Sequence, residues 1–247
     1  MSLLPALLLV PAGVVAGVIG SAGGITSLVS YPALLAVGVP PLPANVGNIV
    51  AAVALGPSSA LASREELTGR RPVLLRLLPL ALVGSAVGAL LLLVTPPGVF
   101  ARIVPFLVAT GALVLLLQPR LNAHRGGGEL GVGALALAVV PVSVYSGYFG
   151  AGSGVMFLAA VLFHESRIPP ANAMKNVLVG VTCAAAALIL IVTAPVPWSA
   201  VVPLALGLLV GGALGPRVVR QVPGRVVRWF AAALGFGLAV YLWFAAA

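Results

Sequence analysis

Two glycine-interrupted apolar segments recur in this chain, about 130 residues apart. Residues 17–24 read GVIGSAGG and residues 147–154 read GYFGAGSG, and each copy is followed by a proline-rich turn with an Ala-Asn motif, at 43–48 and at 170–176. A helix that is broken inside lipid leaves backbone groups unpaired, so such breaks persist only where they line a polar cavity. The duplication therefore predicts a secondary transporter built from two matched halves.

Composition places both halves in a membrane. Of the residues, 61% are hydrophobic and 7% are charged, and the first charged side chain is Arg64, which predicts a polytopic membrane protein without a separate soluble domain. At about 20 residues per crossing, the length allows roughly eight to ten membrane segments. The amino-terminal apolar run lacks a basic flank and a cleavage site, so we interpret it as a retained membrane segment.

The net charge of +9 reflects topology rather than nucleic-acid binding, because the cations lie in short loops between apolar spans. Basic loops stay on the cytoplasmic side, and the three arginine clusters at 64–76, 120–125 and 217–228 should therefore share one compartment. The second and third clusters share a compartment only if the chain crosses the membrane an even number of times between them, and two full spans follow residue 163. The stretch at 129–163 must therefore enter the membrane and return to the same side. Its length agrees, because 35 helical residues would extend about 52 Å, against a hydrocarbon core of about 30 Å.

The predicted fold is thus an all-α polytopic membrane protein of two inverted repeats, each a glycine-broken helical hairpin plus three transmembrane helices. The first repeat covers 1–118, a cytoplasmic linker 119–128, and the second repeat 129–247. An alternative has each broken stretch cross once, which gives eight spans in two parallel sets of four and leaves four arginines outside.

The glycine breaks carry the predicted chemistry. A helix that restarts at Gly24 or Gly154 presents unpaired N–H groups and the positive end of its dipole, and nearby hydroxyls such as that of Ser27 add donors for an oxyanion. Close helix packing is the competing explanation for these glycines. The predicted substrate-binding residues are Gly20, Ser21, Gly23, Gly24, Thr26, Asn45, Asn48, Gly150, Gly152, Ser153, Gly154, Asn172, Lys175 and Asn176.

Each asparagine pair shares one helical face, and its amides can donate to an anion without the cost of a buried charge. Hydrogen bonding between helices is the alternative role. Lys175 is the only lysine, and a cation retained within an apolar span faces a cavity or a partner, or else snorkels to the surface.

All four acidic residues are glutamates, and this scarcity argues against a cation carrier. His164 and Glu165 are candidates for proton coupling, with a hydrated loop pair near Arg167 as the alternative. The sequence predicts no cofactor, no metal site and no enzyme, because its two histidines lie in different loops and it has neither a P-loop nor a nucleophile elbow. The lone Cys183 is interpreted as a packing residue.

At these motifs the sequence resembles the TauE/SafE family, also called the sulfite exporter or toluene-sulfonate uptake permease family, over nearly the whole chain. The resemblance rests on residues 17–24, 32–34, 45–48, 55–57, 64–67, 147–154 and 172–178. Gly47 departs from it where similar sequences more often carry a hydroxyl residue, and Ser21, Ala22 and Ala151 interrupt the fuller glycine run of many members.

The resemblance implies transport of sulfite, sulfonates or related organic anions across the bacterial cytoplasmic membrane, with a small anionic solute and membrane lipid as partners. It fixes neither substrate nor direction. A passive anion channel, a membrane subunit of a larger assembly and a homo-oligomer all remain open.

Overall fold

A computed structural model describes residues 3–123, 131–218 and 224–246. Within these ranges the chain forms helices and no strand, as the sequence predicts. The helices are α1 (Leu3–Gly23), α2 (Ser27–Ala36), α3 (Pro41–Ala52), α4 (Leu55–Ala62), α5 (Arg71–Val94), α6 (Pro97–Ala123), α7 (Val132–Tyr148), α8 (Ser153–Leu162), α9 (Ile168–Thr193), α10 (Trp198–Val218) and α11 (Gly224–Ala246).

Five helical segments in the described ranges are long and apolar enough to cross a membrane: Pro41–Ala62, Arg71–Val94, Pro97–Val114, Ile168–Thr193 and Trp198–Gly215. Shorter apolar helices accompany them, including the segments on either side of each glycine break. The chain is therefore an all-helical, multi-pass membrane protein, and this prediction is confirmed.

Proline marks where several of these helices begin. It occupies the first or second position of α3, α5 and α9, where its missing N–H costs nothing and its fixed φ suits a helix. The apolar runs of the sequence predict membrane spans that start at about 73, 99, 170 and 198, and helices α5, α6, α9 and α10 begin within two residues of these positions. Helix α6 continues to Ala123, so the first part of the predicted linker at 119–128 is helical, whereas 124–130 lie outside the described residues.

Both glycine-containing stretches are interrupted helices. Helix α1 ends at Gly23 and α2 begins at Ser27, and between them Gly24 has a φ of 76°. Helix α7 ends at Tyr148 and α8 begins at Ser153, after Gly152 with a φ of 77°. Because L side chains rarely adopt a left-handed backbone, glycine permits both breaks. That the two halves are inverted relative to each other stays a prediction.

The two halves of the sequence interlock. Helix α1 packs along α10, and α7 packs along α5, so the first part of each broken helix is held by a helix from the other half. These contacts bring backbones together: a Cβ on Gly13 would lie 3.0 Å from the Cα of Gly207, and one on Gly17 would lie 2.9 Å from the Cα of Gly211. Small residues allow this approach in a membrane, where dispersion forces rather than water exclusion hold helices together.

The second break lies in the protein core. The Phe149 ring is buried and meets the Tyr31 ring edge-on at 5.4 Å between centroids, and the Phe100 ring at 6.2 Å. Aromatic contacts of this geometry add to the stabilisation from burial alone. The interrupted backbone is thus held by packing from the first half of the chain.

Candidate substrate-binding site

The two breaks meet at a small cavity of about 30 Å³. Because one ordered water needs about 10–15 Å³, this volume has room for about two waters. Both halves of the chain contribute to its wall, which is formed by Gly20, Gly24, Thr26, Ser27, Asn48, Ile49, Ala52, Leu55, Gly56, Ser59, Ser146, Phe149, Gly150, Ser153, Gly154, Lys175, Asn176, Val179 and Cys183.

The amino-terminal ends of α2 and α8 lie side by side at this cavity. A Cβ on Gly24 would come within 2.8 Å of the Cα of Gly154, so the two backbones are in direct contact. Several of the first N–H groups of both helices, those of Leu28, Val29, Ser153 and Val155, already donate to carbonyl oxygens just before the helix. Among the described residues no backbone acceptor is found for the N–H groups of Ser27 and Gly154, and both helices direct the positive end of their dipole toward this point. Within the described part of the chain, neither the Ser27 nor the Ser153 hydroxyl has a protein hydrogen-bond partner, although both lie at the cavity wall. The arrangement offers several donors to a negative group.

Lys175 brings a positive charge to the same cavity. Its side chain is 1% exposed, and Nζ donates to the backbone carbonyl oxygens of Gly20 at 3.3 Å and Ser21 at 3.2 Å. The snorkelling alternative is therefore wrong, because the ammonium group lies inside the helix bundle. Two of its three N–H donors bind the carbonyl end of α1, which leaves one for the cavity.

No carboxylate accompanies this ammonium group in the described structure. Glu65, Glu66 and Glu165 lie in the loops before α5 and before α9, and none of them reaches the cavity wall. Glu129 and His124 lie outside the described residues. A buried charge in a membrane segment is costly without a partner, so the cavity favours a negative guest.

The asparagines cap the ends of the broken helices across the two halves. Asn45 Nδ2 donates to the carbonyl oxygen of Tyr148 at 2.9 Å, and Asn172 Nδ2 donates to that of Ser21 at 3.1 Å. In each case an asparagine that follows the break in one half of the chain binds a carbonyl oxygen near the end of the helix before the break in the other half. These are the interhelical hydrogen bonds that formed the alternative explanation, and neither side chain lies at the cavity wall.

Asn48 and Asn176 do reach the cavity. Asn176 Nδ2 donates to the Ser21 carbonyl oxygen at 3.1 Å, beside Lys175. Asn48 Oδ1 accepts a hydrogen bond from the Ser30 hydroxyl, one turn into α2. Asn45 and Asn48 therefore have different partners, whereas Asn172 and Asn176 donate to the same carbonyl oxygen. In each pair only the second asparagine reaches the cavity wall.

Most of the predicted binding residues converge here, although no observation shows that they bind substrate. Gly20, Gly24, Thr26, Asn48, Gly150, Ser153, Gly154, Lys175 and Asn176 lie at the cavity wall, whereas Ser21, Gly23, Asn45, Gly152 and Asn172 do not. Ser21 still contributes through its carbonyl oxygen, the acceptor for three side chains.

Several wall residues were not predicted, among them Ser59, Ser146 and Cys183. Cys183, interpreted from the sequence as a packing residue, is buried and forms part of the cavity wall. Ser59 lies on the same side of α4 as the wall residues Leu55 and Gly56, and Ser146 lies near the end of α7, just before the second break. Neither helix has an amphipathic pattern that would mark the side facing the cavity.

His164 and Glu165, the candidates for proton coupling, lie in the loop between α8 and α9 and away from the cavity wall. The Glu165 carboxylate forms an ion pair with the Arg70 guanidinium group and a second one, at 3.2 Å, with Arg167. Burial raises the pKa of the Glu165 carboxyl, but hydrogen bonds from the two arginines outweigh burial and leave the pKa lowered. Glu165 thus ties the α4–α5 loop to the α8–α9 loop as a carboxylate.

The described residues contain no cluster of three His, Cys, Asp or Glu side chains that could hold a metal ion. The donors at the cavity are amides, hydroxyls and an ammonium group, which suit an anion rather than a metal.

Comparison with known families agrees with this architecture. The model of the sulfite exporter TauE/SafE family matches residues 8–242. The chain belongs to this family.

Similar proteins from several bacteria are described as probable membrane transporters, the class that the broken helices predict. A probable membrane transporter protein of Haemophilus influenzae is 28% identical over 222 residues, which cover 87% of this chain and 86% of that protein. The probable membrane transporter protein YfcA of Escherichia coli K12 is 28% identical over 216 residues, or 86% of this chain and 80% of YfcA. A probable membrane transporter protein, ORF9, of a Sinorhizobium species is 33% identical over 152 residues, or 60% of this chain and 57% of ORF9. No solved structure matches the chain.

Proposed function

We propose that this membrane protein is a secondary transporter of small oxyanions, with sulfur-containing anions such as sulfite as its substrate class. The observation that carries the proposal is the buried Lys175 ammonium group at a cavity that no described carboxylate reaches. An anion there would neutralise the buried charge and accept hydrogen bonds from the first turns of α2 and α8.

The choice of sulfur-containing substrates rests on the family resemblance, and the negative charge of the substrate is inferred from the residues of the site. The cavity has room for about two waters, so a larger sulfonate would need a more open state than this one. Exchange between such states, with the two repeats inverted across the bacterial cytoplasmic membrane, completes the proposal.

Purified protein reconstituted in proteoliposomes tests the proposal through counterflow of radiolabelled sulfite, with sulfate, thiosulfate, sulfoacetate and taurine as competitors. We expect saturable counterflow, which a passive channel does not show. A chain that acts only as a subunit of a larger assembly would neither bind nor move these anions alone.

The Lys175→Met variant tests the site, because methionine keeps much of the side-chain volume and removes the charge. Arg102→Ala is the matched control, since it removes one positive charge from an exposed position. We expect Lys175→Met to lose sulfite-dependent thermal stabilisation and counterflow while remaining folded, and Arg102→Ala to retain both. Wild-type counterflow by folded Lys175→Met would refute the assignment.

A further inference from the structure

Ser30 contacts the proposed anion site without lining it. It lies one turn into α2, is fully buried, and its hydroxyl approaches two acceptors: the Thr26 carbonyl oxygen at 3.0 Å and Asn48 Oδ1. A hydroxyl carries a single proton, so it can satisfy Asn48 Oδ1 only when it is not committed to Thr26. Ser30 therefore connects the start of α2 to the amide group of Asn48.

The two polar atoms of the Asn48 side chain, Oδ1 and Nδ2, lie in different surroundings. It is 1% exposed and forms part of the cavity wall. Because its oxygen accepts from Ser30, the atom left for the cavity is the Nδ2 donor, for which the described residues supply no acceptor. With the amide turned around, Nδ2 would donate to the Ser30 oxygen while the Ser30 hydroxyl donated to Thr26, and the cavity would face an acceptor oxygen, which repels an oxyanion.

We infer that Ser30 is a positioning residue: by donating to Asn48 Oδ1, its hydroxyl supports the amide orientation that presents an N–H group to an anion in the cavity. This inference rests on the proposed function and adds to it the residue that orients a donor. Without the Ser30 hydroxyl, an anion could accept from Nδ2 only by leaving Oδ1 buried without a donor, which weakens binding by on the order of tenfold.

Lys175 occupies the position equivalent to Asn48 in the second repeat, 127 residues later. The Lys175 ammonium group is a hydrogen-bond donor in every orientation, so it needs no partner to orient it. At position 48 the side chain is an amide that can present either a donor or an acceptor. The two halves thus differ in how they present a donor to the cavity, and only Asn48 depends on a neighbouring hydroxyl.

A double-mutant cycle tests the inference, with the sulfite dissociation constant measured by thermal shift and by counterflow. Ser30→Ala should weaken sulfite binding by on the order of tenfold, and Asn48→Ala by at least as much. In the Asn48→Ala background, Ser30→Ala should change the affinity no further, because Ser30 acts through Asn48. Ser143→Ala is the matched control: Ser143 is fully buried and donates to the Val139 carbonyl oxygen at 2.7 Å, but it lies away from the cavity wall.

Ser30→Cys keeps nearly the same volume with a weaker donor, and it replaces Ser30→Ala if that variant does not fold. It should bind sulfite more weakly than the wild type and no more weakly than Ser30→Ala.

Unchanged sulfite affinity in folded Ser30→Ala or Ser30→Cys overturns the role of Ser30 alone. Equal weakening by the Ser30 substitution in the wild-type and Asn48→Ala backgrounds also overturns it, since Ser30 would then act independently of Asn48. Wild-type protein that binds no anion would instead refute the proposed function, and the role of Ser30 with it.

Discussion

The contact between Gly24 and Gly154 joins the two broken helices, and Gly154→Ala tests it. A Cβ at position 154 would lie 2.6 Å from the Gly24 carbonyl oxygen, 0.8 Å short of the 3.4 Å at which ordinary van der Waals contact begins. The obstructing atoms belong to backbone, so no side chain can turn aside. The substitution must instead push the amino-terminal ends of α2 and α8 apart.

The expected cost follows from this overlap. Overpacking of a closely packed site costs about 1–3 kcal/mol, and helix propensity offsets part of this, because alanine is favoured over glycine in a helix by about 0.5–1 kcal/mol. We expect a net loss of roughly 1–2 kcal/mol, or a fall of several degrees in apparent melting temperature for a chain of this length. Separation of the two helix ends should also weaken sulfite binding.

The assay is differential scanning fluorimetry of detergent-purified protein, with and without sulfite. Gly133→Ala is the control, because it makes the same change in a helix where nothing lies within 4 Å of the new Cβ, and it should leave the melting temperature unchanged or raise it. If Gly154→Ala matched the wild type in melting temperature and sulfite response, the backbone contact would not hold the site together.

Two further predictions concern the loops and the cavity. Glu165→Gln should lower the melting temperature at pH 7, because the carboxylate is paired with Arg70 and Arg167 and its pKa is lowered. That stabilisation is present above the ordinary carboxyl pKa of about 4.3 and is lost as pH falls through the lowered pKa of Glu165. The melting temperatures of the wild type and of Glu165→Gln should therefore converge in acid. A constant difference between them down to acid pH, or an equal effect of exposed Glu65→Gln, would contradict this. Cys183 is the only cysteine and faces the cavity, so a small thiol reagent should block sulfite counterflow, sulfite should slow the labelling, and Cys183→Ser should be insensitive. Labelling that leaves counterflow intact would show that Cys183 lies off the substrate route.

The helical class and the positions of the breaks could be predicted because both depend on local chemistry. Long apolar runs must pair their backbone groups within one helix in lipid, and proline marks where α3, α5 and α9 begin. Glycine at positions 24 and 152 permits the left-handed backbone that ends one helix segment before the next begins. These constraints act over a few residues, so the sequence displays them directly.

The individual roles of the asparagines could not be predicted from the sequence. Asn45 and Asn48 share a helical face, as the spacing predicts, yet Asn45 caps α7 whereas Asn48 faces the cavity. The difference arises because α3 contacts the end of α7 through Asn45 and contacts α2 through Asn48, an arrangement that spacing within one helix cannot reveal. For the same reason Ser30 was not among the predicted residues, although its hydroxyl holds Asn48.

The sequence by itself determined the membrane class, the duplicated broken helices and the near absence of acidic side chains, since each follows from which residues are present and how they are spaced. Only the tertiary structure decided that α1 packs on α10 and α7 on α5, that Lys175 is buried against the carbonyl end of α1, and that Glu165 binds two arginines away from the cavity. Helices that are apolar on every side have no amphipathic face from which their packing partners could be predicted. Close backbone packing between glycines far apart in the sequence therefore selects among the possible arrangements.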